Sequence, residues 1–279
     1  MRKQVGLTMI DVAVALACVA LVLAQAGVIN AGGRERSKRE VCLANLRTLT
    51  ASWKMYADDN AGKLVNGGQT GMGFGGAAYD WVKEPWWCTP LYPLPTSDEF
   101  GTFNAKRFDW DLTLPYGERV KLLQQGALYK YCPDVTFFRC PEADKNMHRS
   151  YIMPSSMNAE WQNAPPGYIS QGGLVKNTGQ IARPSERIVF LEEKVITPDA
   201  FQFPTPSGLP WTFDKPNIMH SDGVNFGFAD GHADYRKWEC AAVLRWAKSD
   251  TGGTPTMAEL AACPTDYNWL LNAVWGITQ

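Results

Sequence analysis

LTMIDVAVALACVALVLAQAGVI, residues 7–29, holds no basic residue and a single acid, Asp11. An apolar run of about 20 residues is what a helix needs to cross a bilayer core of roughly 30 Å. Arg2 and Lys3 precede the run and Arg34, Arg36, Lys38 and Arg39 follow it, so flanking charge leaves its orientation open. Three kinds of segment compete. A secretory signal would be cleaved after small residues, and Ala24-Gln25-Ala26 fits that rule. A lipoprotein signal needs a branched or leucine-type residue three before its cysteine, where Cys18 has Ala15. Neither of these uses Asp11, a charge that costs about 2.5–3.5 kcal/mol at mid-membrane.

Working outward, Ala31-Gly32-Gly33 offers a bend or melted point, because glycine lowers helix propensity by about 1 kcal/mol. Beyond it Cys42, Leu46, Leu49, Trp53 and Tyr56 recur at alternating spacings of four and three, one apolar stripe of a helix. Arg39, Arg47, Lys54 and Asp58 fall on the opposite face. Residues 30–62 therefore read as an amphipathic continuation packed on a body, stopped at Asp58-Asp59-Asn60-Ala61-Gly62 with Gly62 as terminator. A helix from Leu7 to Asn60 would run about 80 Å, far more than an anchor requires.

Residues 1–29 resemble the type III signal of type IV pilins and type II secretion pseudopilins. The resemblance implies a leader, residues 1–6, removed by prepilin peptidase after Gly6, and a methylated new N-terminus at Leu7. Leu7-Thr8-Met9-Ile10-Asp11 then stands where those families carry Phe-Thr-Leu-Ile-Glu. Asp11 becomes the assembly residue, its carboxylate pairing with the α-amino group of a neighbouring subunit. Further elements are similar to a branch of pilin-like proteins named for a C-terminal His-x9-Asp-Gly motif: Cys42-Leu43-Ala44-Asn45-Leu46-Arg47, Phe138-Arg139-Cys140-Pro141, Ser150-Tyr151-Ile152-Met153, and His220 followed after nine residues by Asp230-Gly231. What this implies is a single-pass protein of the cytoplasmic membrane. Its body would lie in the periplasm or outside on a filament, and its partners would be copies of itself or other pilin-like subunits.

Residues 63–279 form the globular part, with a loop-rich insertion over 63–175 punctuated by Gly and Pro. The best element within it is a short helix from Arg119 to Tyr131. Residues 187–193, RIVFLEE, read as a strand, and 224–229 with 232–236 as two more joined by a two-residue Asp230-Gly231 turn. Alternation puts Val224, Phe226 and Phe228 on one face, expected against the long helix. The fold is then α+β: a long N-terminal helix laid on a small antiparallel sheet, with a loop-rich, disulfide-stapled insertion, as in pilins.

At 279 residues, 45% hydrophobic and 20% charged, the chain can bury a core, which excludes disorder and fibrous repeats. A net charge of −1 supplies no basic field for phosphates, so nucleic acid is excluded as the main partner. Cys18 lies in the membrane segment; among the other six, Cys132 and Cys140 are expected as a local bridge in an oxidising compartment, and the remaining connectivity is open. A zinc site is disfavoured there, with no Cys-x2-Cys and no histidine near Cys132.

His220, Asp222, Asp230, His232 and Asp234 fall close together, but both acids at 222 and 230 sit where turns want them, which favours a buried His220 bonded to the hairpin. The more credible metal is calcium, which the resemblance to major pseudopilins implies, with oxygens from Asp222 and Asp230 and an approach by Glu192 or Glu193. No other cofactor is expected. No Gly-x-Ser-x-Gly, phosphate loop or His-Glu-x2-His is present, so no enzyme is expected. Trp81, Trp86, Trp87, Tyr92 and Trp110 read either as a small core under loops or as a glycan-binding face. The function expected is a structural subunit of a pilus or pseudopilus. The alternative is an envelope-anchored or secreted protein binding surface glycan through that insertion.

Overall fold

The computed structural model describes residues 9–68, 85–88, 115–158, 174–194, 200, 201, 203, 214–249 and 253–276, with side chains from residue 32 on. Helix α1 (Met9–Asp59) is 51 residues long and stays helical through Gly32-Gly33, where nothing crowds the backbone. No melted point interrupts it. Among the described residues no helix is long and apolar enough to cross a membrane; the side chains of residues 7–29, with Asp11, and the Gly6-Leu7 junction lie outside that set. The chain divides into two compact units, Met1–Glu40 and Val41–Gln279.

Within the second unit the apolar stripe behaves as its spacing requires. Cys42, Leu46, Leu49, Trp53 and Tyr56 are all buried, while Arg47, Lys54 and Asp58 are exposed. Each large side chain so buried contributes about 1.5–3 kcal/mol relative to exposure. The helix closes on Gly62, whose N–H reaches the Ala57 carbonyl at 2.8 Å from a φ of +81° that favours glycine.

A four-stranded antiparallel sheet runs in chain order: β1 (Tyr151–Ile152), β2 (Ile188–Glu192), β3 (Gly223–Phe228) and β4 (Ala233–Lys237). It is covered on both faces, which is why β3 is buried throughout. One layer contains the α1 stripe, Val189 and Phe190. The other is built by the C-terminal helices α3 (Ala241–Lys248), α4 (Met257–Ala261) and α5 (Pro264–Trp275), which follow the short α2 (Tyr116–Leu123) in chain order.

Val224, Phe226 and Phe228 do share a face, but it is the one against the C-terminal helices, where Phe226 meets Trp238 and Trp269 edge-on. The expectation that they face the long helix is overturned. Gly227 explains why: a Cβ there would lie 2.6 Å from Thr50 Oγ1, so α1 approaches the sheet where β3 carries no side chain. The tail after residue 240 supplies the cover that the strand pattern could not reveal.

Two local expectations also change. The helix expected over 119–131 is α2, ending at Leu123, because the N–H groups of Ala127 and Leu128 bond the carbonyls of Trp86 and Trp87 instead of a preceding turn. The β3–β4 connection is a three-residue loop, Ala229-Asp230-Gly231, with Phe228 and His232 still bonded and Gly231 at φ +108°. The Ala229 and Asp230 N–H groups reach the Arg187 and Pro184 carbonyls, which holds the wider loop open.

Among the described residues a disulfide joins Cys240 and Cys263, tying the start of α3 to the start of α5. Cys132 and Cys140 are both free and buried, so the bridge expected between them does not form and the insertion is not stapled there. Asp266, buried, receives the N–H groups of Glu239 and Cys240 at 2.8 Å each and so fixes the segment that carries the bridge.

Candidate functional site

Four side chains from four distant parts of the chain converge under α1: Cys42, Cys140, Glu192 and His220, all buried, with their donor atoms within 4.8 Å of one another. Cys42 arrives as the first member of the α1 stripe. Cys140 follows a single 3₁₀ turn, residues 135–138, capped by the Asp134 carboxylate on the Thr136 N–H. That loop is pinned to both neighbours. Asn45 on α1 donates Nδ2 to the Arg139 carbonyl at 3.0 Å, and the Cys140 N–H donates to Ser150 Oγ at 2.7 Å.

Glu192 reaches the site through an irregularity. The register of β2 against β3 slips between Ile188 and Phe190, so that Val189 and Phe190 both face the α1 layer. A regular strand would put Glu192 on the same face as Ile188, against the C-terminal helices; the bulge turns it toward α1. There its carboxylate accepts from the Asn225 N–H at 3.0 Å and Asn225 Nδ2 at 3.2 Å, and lies 3.1 Å from His220 Nε2. The neighbouring Glu193 is held apart by a buried ion pair with Arg149 at 2.7 Å.

His220 stands at the head of a tight turn closed by the Gly223 N–H on its carbonyl, with Ser221 and Asp222 both at positive φ, 53° and 64°. Non-glycine residues in that region cost about 1–2 kcal/mol each, a strain this turn spends to aim the imidazole inward. His220 Nε2 lies 3.4 Å from Cys140 Sγ, which also accepts the Glu142 N–H at 3.4 Å.

The electrostatics are those of a closely coupled group. Burial opposes the imidazolium, but the Cys140 sulfur and the Glu192 carboxylate outweigh it and push His220 up to about 11. The hydrogen bond between the two cysteines holds Cys140 down and Cys42 up, burial adding to the latter. Burial foremost, then the charges of this group, raises the Tyr151 hydroxyl well above its ordinary range.

The residues singled out in the sequence are distributed differently from expectation. His220 is buried as expected, and its imidazole lies against Cys140 and Glu192, two partners the sequence reading did not assign to it. Asp230 pairs with His232 Nδ1 at 2.6 Å, and Asp222 pairs with Lys248 at 2.9 Å. Each acid thus has its own side-chain partner, and the two are not among the residues that converge in a metal-sized group within the described residues. Gly231 provides the positive φ of the loop, while Lys54 of α1 donates to the Asp230 carbonyl at 2.8 Å.

That bond explains the nine-residue spacing in physical terms. Cys42 and Lys54 stand about 18 Å apart along the helix, and six residues of strand span about 20 Å. The strand between His220 and Asp230 is therefore the length that lets one end meet Cys42's cluster while the other is tied to Lys54. Cys42 and Glu192 were not paired with His220 by the sequence, since nothing in the spacing of residues 42, 140, 192 and 220 signals proximity. Of the aromatic residues considered for a glycan face, Trp86 and Trp87 are buried, Trp87 stacking on Phe138 and meeting Phe190 edge-on; Trp81, Tyr92 and Trp110 lie outside the described residues. The chain matches no family model, no curated protein and no solved structure.

Proposed function

We infer that the protein is a structural subunit of a pilin-like filament or pseudopilus, anchored and assembled through its N-terminal helix. The observation that carries this reading is the use of α1: the globular unit begins at Val41, although the helix begins at Met9. A body of this size has no need of so much helix. An apolar sequence in the helix ahead of it suits packing against like segments in a membrane or a filament core, with Asp11 as the register residue. The buried cluster and the Lys54–Asp230 tie secure the lower half of the same helix to the sheet, as a subunit needs if load on the helix is to reach the body.

The reading carries with it removal of residues 1–6 by a prepilin peptidase, a free Leu7 and a place in the cytoplasmic membrane before assembly. The test is mass spectrometry of the N-terminal peptide from native membranes, with Asp11→Ala assayed beside wild type for filament incorporation. A chain beginning at Leu7 with one added methyl, and loss of incorporation in the variant, is the expected result. An N-terminus at Gly27 or an intact Met1 would replace it with ordinary secretion or a simple anchor.

A further inference from the structure

We propose that Cys42, Cys140, Glu192 and His220 form a closed four-ligand site for a zinc ion, which staples α1 to the sheet. This goes beyond the filament reading and stands or falls independently of it. The donor set is the first argument. Two sulfurs, an imidazole nitrogen and a carboxylate oxygen are ligand types that zinc accepts together, and two sulfurs disfavour calcium or magnesium, which take oxygen.

Geometry is the second argument. Ligands at about 2.3 Å for sulfur and about 2.0–2.1 Å for nitrogen and oxygen define a tetrahedron with S···N edges of about 3.6 Å and N···O edges of about 3.3 Å. The Cys140 Sγ···His220 Nε2 and His220 Nε2···Glu192 Oε1 separations are 3.4 and 3.1 Å, and all the donor atoms lie within 4.8 Å. A shift of a few tenths of an ångström opens the group around an ion.

The surroundings are the third. Glu142 N–H points at the Cys140 sulfur, and Asn225 N–H and Nδ2 point at the Glu192 carboxylate, the outer hydrogen bonds that orient anionic ligands. The bulge in β2 and the strained turn at Ser221-Asp222 are two separate irregularities that each aim one member of the group inward. All four ligands are buried, which leaves no open position for substrate and makes the site structural.

The test uses the full chain, purified in detergent under reducing conditions, with Zn(II) content measured by plasma mass spectrometry and Co(II) as a spectroscopic probe. One equivalent of zinc per chain is expected. Cobalt should show sulfur-to-metal charge transfer and the intense visible bands of a tetrahedral site. Cys140→Ser and His220→Gln should each weaken zinc binding by more than the roughly 10–100-fold that loss of an outer partner costs, while Asp222→Ala and Asp230→Ala retain it. Because the ligand variants can fail to fold, the cobalt spectrum of the unsubstituted chain decides the matter without them. Less than a tenth of an equivalent of zinc, an octahedral cobalt spectrum, undiminished binding in Cys140→Ser, or a Cys42–Cys140 disulfide in protein trapped with a thiol-blocking reagent would each overturn the proposal.

Discussion

Gly227→Ala should be unusually costly for the smallest of substitutions, because it places a methyl group between β3 and α1. The added Cβ would lie 2.6 Å from Thr50 Oγ1, 3.4 Å from the Leu46 carbonyl and 3.6 Å from Leu46 Cβ. Thr50 is fully buried, and its hydroxyl donates to the Leu46 carbonyl at 2.7 Å. Two responses are open. Either Thr50 rotates, breaking that bond and orphaning a buried hydroxyl at about 1–3 kcal/mol, or α1 lifts from the sheet and loosens packing at about 1–3 kcal/mol. We expect about 2–3 kcal/mol of destabilisation, set against the gain of up to about 1 kcal/mol that Gly→Ala brings through the unfolded chain where space allows. The assay is urea unfolding of the full chain in detergent, followed by tryptophan emission. Thr50→Ala provides the internal control, since removing Oγ1 removes the nearest clash. The double variant should recover about 1–2 kcal/mol relative to the sum of the singles. A Gly227→Ala chain within about 0.5 kcal/mol of wild type, or strict additivity of the pair, would refute the placement of α1 on this face of β3.

The remaining expectations concern the C-terminal layer. Cys240→Ser opens the loop closed with Cys263 at a sequence separation of 23, and a loop of that length corresponds to about 3 kcal/mol of stabilisation; reductant should lower the melting temperature of wild type and leave the variant unmoved, and an equal response in both would contradict the bridge. Glu259 is held at about 2, first by the Thr256 N–H at 2.9 Å and then by Arg245 and the Thr256 hydroxyl. Its folded value lies below the ordinary 4.5, so its contribution is complete above that pH and is lost as pH falls through about 2. A carboxyl-detected NMR titration should place its midpoint near 2 in wild type and higher in Thr256→Ala; an ordinary midpoint in wild type would refute the hydrogen bonding of Glu259 to Thr256 and Arg245.

Periodicity made much of the fold legible. The stripe from Cys42 to Tyr56 signals a helix by its spacing alone, and every member is buried. The strand at 187–193 and the hairpin around Asp230-Gly231 follow from β-branched and aromatic runs and a turn dipeptide, and they correspond to β2, β3 and β4. Misjudged were features that depend on what packs where. A strand apolar on alternate residues announces that one face is covered, yet the choice between α1 and the C-terminal helices was settled by Gly227, whose missing side chain admits the long helix. The cysteine pairing failed for a related reason. Nearness in sequence favoured Cys132 with Cys140, whereas the fold carries Cys140 to Cys42 and His220 and joins Cys240 to Cys263.

By itself, then, the sequence determined the local elements: the amphipathic helix and its Gly62 stop, the strands, the hairpin, and a His220 embedded in the body. These follow from interactions between residues a few positions apart, which leave a period or a turn signal in the chain. Only the tertiary structure decided the cluster of Cys42, Cys140, Glu192 and His220 and the two-sided cover of the sheet. Those depend on a strand bulge that reverses one carboxylate, a strained turn that aims one imidazole, and the closure of long loops, which leave no periodic trace in sequence.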